Sequence, residues 1–266
     1  MAGKVITITS GKGGVGKTTT CANIGTGLAI RGKKVVLIDA DIGLRNLDVV
    51  MGLENRIVFD LIDVVEKNCK LRQALIKDKR FESLFLLPAA QTKEKDAVKP
   101  EQMVELCQEL KLDFDYILID CPAGIEHGFK NAVAGADTAF IVTTPDVSAV
   151  RDADRIIGLL QAHEIYEPRL IINRVRPDMV RKGDMMDVND VIDILAINPI
   201  GVVPDDQSII ISTNRGEPAV SDSSSRAGQA YRNIVARIEG EDVPFMSLDF
   251  DLSFFERLKR CFSGKQ

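Results

Sequence analysis

Gly11-Lys12-Gly13-Gly14-Val15-Gly16-Lys17-Thr18 has the residue types and spacing of a phosphate-binding loop. The glycines let backbone N–H groups converge on phosphate oxygens, Lys17 adds a positive charge near the β- and γ-phosphates, and Thr18 offers a hydroxyl to Mg2+. The stretch from Gly11 to Thr19 is therefore the candidate nucleotide-binding segment. A second lysine, Lys12, follows the first glycine directly; a solvated surface residue and a further phosphate-directed cation are both open readings of it. Three polar endings join the loop as candidates for chemistry: Asp39-Ala40-Asp41, Asp120-Cys121-Pro122-Ala123-Gly124 and Asn173-Arg174. Each follows an apolar run, and ligands in open parallel sheets sit outside the carboxyl ends of strands. One acidic residue in such a place is often only a helix cap. Three polar endings beside a phosphate loop point instead to a nucleotide site.

Such a loop needs a strand before it and a helix after it. Residues 4–10 (KVITITS) carry a β-branched run that reads as a buried strand, and residues 18–31 read as a helix stopped by Gly32. Further apolar runs recur at 35–38, 84–87, 116–119, 139–143, 170–172 and 200–203. Helices are expected at 100–111, 148–163, 188–195 and 224–239, the last stopped by Gly240. This alternation predicts an α/β fold with a mainly parallel twisted sheet and helices on both faces. Glu241-Asp242-Val243-Pro244 breaks the pattern, which divides the chain into a main domain at 1–240, a linker at 241–251 and a tail at 252–266.

Composition narrows the class. With 266 residues, 45% of them hydrophobic and 27% charged, the chain suits one α/β domain plus a tail. No apolar run approaches the roughly 18 residues of a membrane span. Met1 leads almost directly into the first strand, so no leader is expected and the protein should work in the cytoplasm. Cys21, Cys69, Cys107, Cys121 and Cys261 lack C-x-x-C spacing and read as reduced thiols, and with only His127 and His163 beside them a zinc site is not expected.

The tail is the second informative feature. At 100° per residue Phe254, Phe255, Leu258, Cys261 and Phe262 fall on one side, with Arg257, Lys259 and Arg260 flanking or opposing them. Residues 252–266 carry four basic side chains against one acidic in a chain whose net charge is −5. An amphipathic helix of this polarity suits an anionic lipid surface; a terminal helix docked on its own domain is the other reading.

These residues resemble the deviant Walker A ATPases, and within them the septum-site-determining branch. Lys12 carries the likeness to the wider family. The stretches DADIGLRNLD from Asp39, ALIKDKR from Ala74, GVVPDDQS from Gly201 and NRGEP from Asn214 carry it to the branch. The resemblance spans the main domain and runs into the tail. It implies an ATPase that uses ATP and Mg2+ and forms a homodimer with ATP, in which Lys12 reaches the phosphates bound by the other subunit. Lys12, Lys17 and Asp41 would be catalytic, with Asp41 orienting the attacking water. Thr18, Asp39 and Asp120 would serve Mg2+, the Gly124 N–H would sense the γ-phosphate, and Asn173 would read the adenine. Asp152 would help form the nucleotide-sandwich dimer, a surface salt bridge being its other reading. The implied function is placement of the cell or plastid division site, with the protein peripheral on the inner face of the membrane when ATP-bound. The implied partners are a MinC-like inhibitor of division-ring assembly, a MinE-like activator and anionic membrane lipids, with no specific nucleic acid.

Alternatives remain within the same superfamily. A ParA-like DNA-partition ATPase would call for a basic surface, against which the acidic chain weighs. A flagellar-placement ATPase would share the tail. An electron-transfer reductase would need cluster-binding cysteines, and Cys121 lacks a convincing second.

Overall fold

The computed structural model describes residues 2–91, 97–125 and 127–246. Eight strands form one sheet: β1 (Lys4–Thr9), β2 (Val35–Asp39), β3 (Ile76–Lys77), β4 (Leu84–Leu87), β5 (Tyr116–Asp120), β6 (Thr138–Thr143), β7 (Arg169–Val175) and β8 (Pro199–Pro204), in spatial order β3-β4-β2-β5-β1-β6-β7-β8. All pairings are parallel except β3 with β4. The helices are α1 (Lys17–Ile30), α2 (Leu47–Met51), α3 (Leu61–Val65), α4 (Leu71–Ala74), α5 (Pro100–Leu110), α6 (His127–Ala134), α7 (Val147–Ala162), α8 (Pro177–Lys182), α9 (Val188–Leu195), α10 (Gln207–Arg215) and α11 (Arg226–Ile238).

Strand side chains alternate between two apolar layers, as a period of two requires. Val36, Ile38, Ile117, Ile119, Ile141 and Ile172 face one layer, which α5, α7 and α9 cover with Leu106, Ile156 and Val191. Ile6, Ile8, Leu37, Leu118 and Val142 face the other, covered by α1 and α11 with Ile24, Leu28, Tyr231 and Ile234. Burial on both faces explains why these strands read as continuous apolar runs. The expected strands and long helices are all present, with ends moved by a few residues. The short elements β3, α2, α3, α4, α6, α8 and α10 carry too few periodic residues to have been anticipated.

The chain leaves the main domain at the sheet edge opposite the phosphate loop. Arg31, just past α1, pairs with Glu241, and Arg237 donates to the carbonyls of Val243 and Pro244 and to that of Ile200 in β8. Its guanidinium also lies 4.1 Å from the Phe245 ring centroid. The first residues of the expected linker, 241–246, are thus tied to the body. Phe254, Phe255, Arg257, Leu258, Lys259, Arg260 and Phe262 lie outside the described residues. No described helix is long and apolar enough to cross a membrane.

Candidate nucleotide site

The loop between β1 and α1 is built as its sequence demands. Gly16 adopts φ 98° at the entry to α1, and a Cβ there would stand 2.4 Å from Asn173 Nδ2, so both backbone conformation and close approach require glycine. Ser10 Oγ donates to the Lys12 carbonyl at 2.7 Å and closes the loop's first turn. Lys17 is buried at the start of α1. With β1 central in the sheet, the endings of β2 and β5 come beside the loop, as do those of β6 and β7 on its other side.

Asp39 and Asp120 stand side by side because β2 and β5 pair in register at that point. Both are buried. Burial, then the negative charge of Asp39, pushes the Asp120 carboxyl well above the usual carboxylate range. Burial raises Asp39 too, although the N–H groups of Asp41 and Leu47 oppose it. Asp39 Oδ1 accepts from Asp41 N at 3.0 Å, and Oδ2 from Asn46 N at 3.2 Å and Leu47 N at 3.1 Å. This carboxylate therefore ties down the segment that carries Asp41 and seats the first turn of α2. Asp120 bonds to the Thr18 hydroxyl, while its Oδ1 has no hydrogen-bond partner among the described residues.

A buried carboxylate oxygen without a partner, beside a second carboxylate and a threonine hydroxyl, suits a hard divalent cation. No group of three or more His, Cys, Asp or Glu among the described residues could hold a metal by itself. That donor set fits Mg2+, which takes one or two carboxylates and completes its shell with phosphate oxygens and water. Thr18, Asp120 and, beside it, Asp39 are the residues that would hold it.

The raised acids carry a testable sign. An acid with a raised folded-state pKa contributes stability that is present at low pH and lost as pH climbs from its unfolded value, about 4, through the folded one. Asp120→Asn is therefore expected to raise the Tm of the nucleotide-free protein at pH 8 by roughly 3 °C or more, and by much less at pH 5. It should also remove the gain in nucleotide affinity that Mg2+ supplies. Thermal melts at both pH values and calorimetry with and without Mg2+ check this; equal melting shifts at the two pH values would contradict it.

Beyond Gly16 the loop opens onto a cavity of about 540 Å³ lined by Thr19, Asn173, Arg176, Ile210 and Tyr231 among others. Asn173 lines this cavity from within β7, which runs past the expected strand end, and its amide is engaged by the chain: Nδ2 donates to the Val15 carbonyl at 2.8 Å and Oδ1 accepts from Arg174 N at 2.9 Å. In this state it braces the loop. Arg176, Ile210 and Tyr231 were not anticipated; for Arg176, the polar Asn173-Arg174 ending just before it was the available signal. Tyr231 comes from distant α11 and pairs its hydroxyl with Thr20 at 3.1 Å, which no local pattern reveals.

Lys12 lies on the outer rim. Its Nζ donates to Ser148 Oγ at 2.7 Å and sits 3.4 Å from Asp146 Oδ1, both at the start of α7. Burial works against the Asp146 charge, yet the Thr144 and Ser148 hydroxyls, the Ala149 N–H and the Lys12 ammonium hold its carboxyl down to about 2. Asp146 and Ser148 were also unforeseen; the signal was a capping residue after β6. Asp152 pairs with Arg155 at 3.5 Å, and its backbone packs on the loop, since a Cβ on Gly11 would come 2.3 Å from the Asp152 carbonyl oxygen. The Gly124 N–H reaches the Ser10 carbonyl at 3.4 Å.

A family model described as an AAA domain matches residues 3–170. The septum site-determining protein MinD of Bacillus subtilis is 61% identical over 249 residues, 93% of either chain. The chain belongs to the MinD family. Among solved MinD structures, the MinC:MinD cell division protein complex of Aquifex aeolicus matches with a TM-score of 0.86 at 50% identity, over 92% of this chain and 98% of that one. MinD of Pyrococcus horikoshii complexed with Mg-ADP matches with a TM-score of 0.81 at 31% identity, over 89% and 96% of the two chains. The MinD fold therefore extends across the described domain.

Proposed function

We propose that this chain is a Mg2+-dependent ATPase switch in division-site placement. It forms a homodimer with ATP, attaches to anionic membrane through residues 252–266, recruits a MinC-like inhibitor of division-ring assembly and is released when a MinE-like activator stimulates hydrolysis. The observation that carries the reading is the grouping of the phosphate loop, the buried Asp39 and Asp120 pair and the Thr18 hydroxyl at one sheet edge. The P. horikoshii relative complexed with Mg-ADP and the Aquifex complex with MinC support its nucleotide and its partner.

The roles follow from placement. The glycine-rich backbone and Lys17 bind the phosphates, and the cavity past Gly16 takes the nucleoside. Bound Mg2+ would neutralise phosphate charge as the γ-phosphoryl group transfers to water. Asp41, half-buried and held through its N–H to Asp39, orients that water. Lys12 is exposed enough that exchanging Asp146 and Ser148 for a partner subunit's phosphates costs about 1 kcal/mol or less. Asp152, against the loop at Gly11, lies where the dimer interface would form. The domain runs over 1–240, the linker over 241–251 and the membrane-targeting tail over 252–266.

The test separates binding from turnover. Asp41→Ala is expected to bind Mg-ATP within about threefold of the unmodified protein and to dimerise, while single-turnover hydrolysis slows by roughly 10²-fold or more. Unchanged hydrolysis would remove Asp41 from the mechanism, and absence of any Mg-ATP turnover by the unmodified protein would overturn the ATPase reading.

A further inference from the structure

Two stretches that mark the branch by resemblance, ALIKDKR from Ala74 and NRGEP from Asn214, have no role in the chemistry above. The fold brings them together. Arg80 Nη1 donates to the Gly216 carbonyl at 2.8 Å, and Nη2 donates to the Met51 carbonyl at 3.2 Å and to Asp78 Oδ2 at 2.9 Å. Asp78 is buried and fixes the guanidinium from behind; its Oδ1 also accepts from Arg80 N and Phe81 N. The neighbouring Lys79 Nζ donates to the Gly52 carbonyl at 3.1 Å.

The two carbonyls that Arg80 bridges lie at the C-terminal ends of two helices. α2 ends at Gly52 with φ 66° and α10 at Gly216 with φ 65°, and the two caps touch: a Cβ on Gly216 would stand 2.5 Å from Gly52 Cα. Only glycine at 216 permits that approach. The opposite ends of these helices face different halves of the nucleotide site. α2 starts on the Asp39 carboxylate, and the first half of α10 lines the cavity past Gly16 with Gln207, Ile209 and Ile210.

α10 needs such a tie because the core holds it only through the partly buried Ile209. None of its residues is buried, and Ile210 and Ile211 are 66% and 51% exposed. Its N-terminus is held by Asp206, which accepts from Ser208 N at 2.9 Å and Ala227 N at 2.9 Å. Its C-terminus is held by the Arg80 bridge and the glycine contact.

We propose that Arg80 is a positioning residue for nucleotide binding: it locks α10, the wall of the nucleoside cavity, to α2, the helix seated on Asp39. This rests on the nucleotide-site reading and deepens it. The clamp acts on the nucleoside half of the ligand, because the phosphate loop is held by β1, α1 and Asn173 without it.

Two ligands separate those halves: Mg-ADP has a nucleoside, and Mg-pyrophosphate does not. Calorimetric titration of both into the full chain, its Arg80→Lys variant and its Gly216→Ala variant tests the clamp. Lysine cannot bridge two carbonyls and a carboxylate as the fork does. Gly216→Ala leaves the Asp78 and Arg80 pair intact and forces the caps apart, so it answers if Arg80→Lys folds poorly. Each variant is expected to bind Mg-ADP about tenfold or more weakly and Mg-pyrophosphate within about twofold of the unmodified protein. Equal weakening of both ligands, or weakening of neither, would overturn the clamp. Failure of the unmodified protein to bind Mg-ADP would overturn the nucleotide-site reading, and the clamp with it.

Discussion

Lys12→Ala is expected to leave Mg-ATP binding within a few fold and to lower ATP-driven dimerisation and hydrolysis together, hydrolysis by roughly 10³-fold or more, the scale of a cation supplied in trans to phosphoryl transfer. Lys12 rests on Ser148 and Asp146, outside the loop's concave side, so removing it takes little from nucleotide held within one chain. Lys17 is its opposite: it is buried at the start of α1, and its expected role is within its own subunit. Lys17→Ala should therefore lose binding itself. Calorimetry, light scattering and turnover on the two variants distinguish these outcomes. A Lys12→Ala protein that dimerises and hydrolyses normally would show that the second lysine has no role across an interface.

Phe255→Glu, or truncation after Ser247, is expected to abolish sedimentation with anionic liposomes while leaving ATP-driven dimerisation unchanged. Each basic residue near an anionic surface contributes about 1 kcal/mol and each fully buried Phe or Leu about 1.5–3, but helix ordering and partial burial take back much of this. One tail is expected to bind weakly, and two on a dimer would raise avidity by roughly 10²–10⁴. Replacing ATP with ADP should thus weaken attachment by lowering valency, and added salt should weaken it by screening Arg257, Lys259 and Arg260. Because residues 241–246 are anchored by Arg237 at the edge away from the phosphates, loss of the tail should not disturb the nucleotide site. Undiminished sedimentation of the truncated chain, or equal binding in ADP and ATP, would return the lead to a tail docked on its own domain.

The sequence disclosed the elements whose signal is local. The phosphate loop is contiguous, and strands buried on both faces announce themselves as apolar runs, so β1, β2, β5 and the Asp39 and Asp120 endings are legible in the sequence alone. Roles that depend on distant partners could not. Asn173 was legible as a strand-end amide, but not its bond to Val15, 158 residues away. Lys12 was legible as unusual, but not its perch on Ser148, because the cap of α7 reads the same whether or not a lysine lies over it. Helix α10 escaped notice because a helix with no buried residue has no apolar stripe to show. Arg80 looked like one basic residue among several until two helix ends converged on it.

Placing β1 at the centre of the sheet has a consequence for the chain during its synthesis. The first strand made pairs with neither β2 nor β4 but with β5 and β6, through registers such as Lys4 with Tyr116 and Ile6 with Thr138. At roughly 5–20 residues per second, the ribosome delivers those neighbours on the order of ten seconds after β1. Until then β2 and β4 can pair with each other, but the phosphate loop has no flanking strands to hold its turn and no Asp120 beside it. A nascent chain that stops before β6 should accordingly gain no protease protection from Mg-ADP, since closing so long a loop must come before the contacts that reward it. Nucleotide can stabilise this protein only once β5 and β6 have been made.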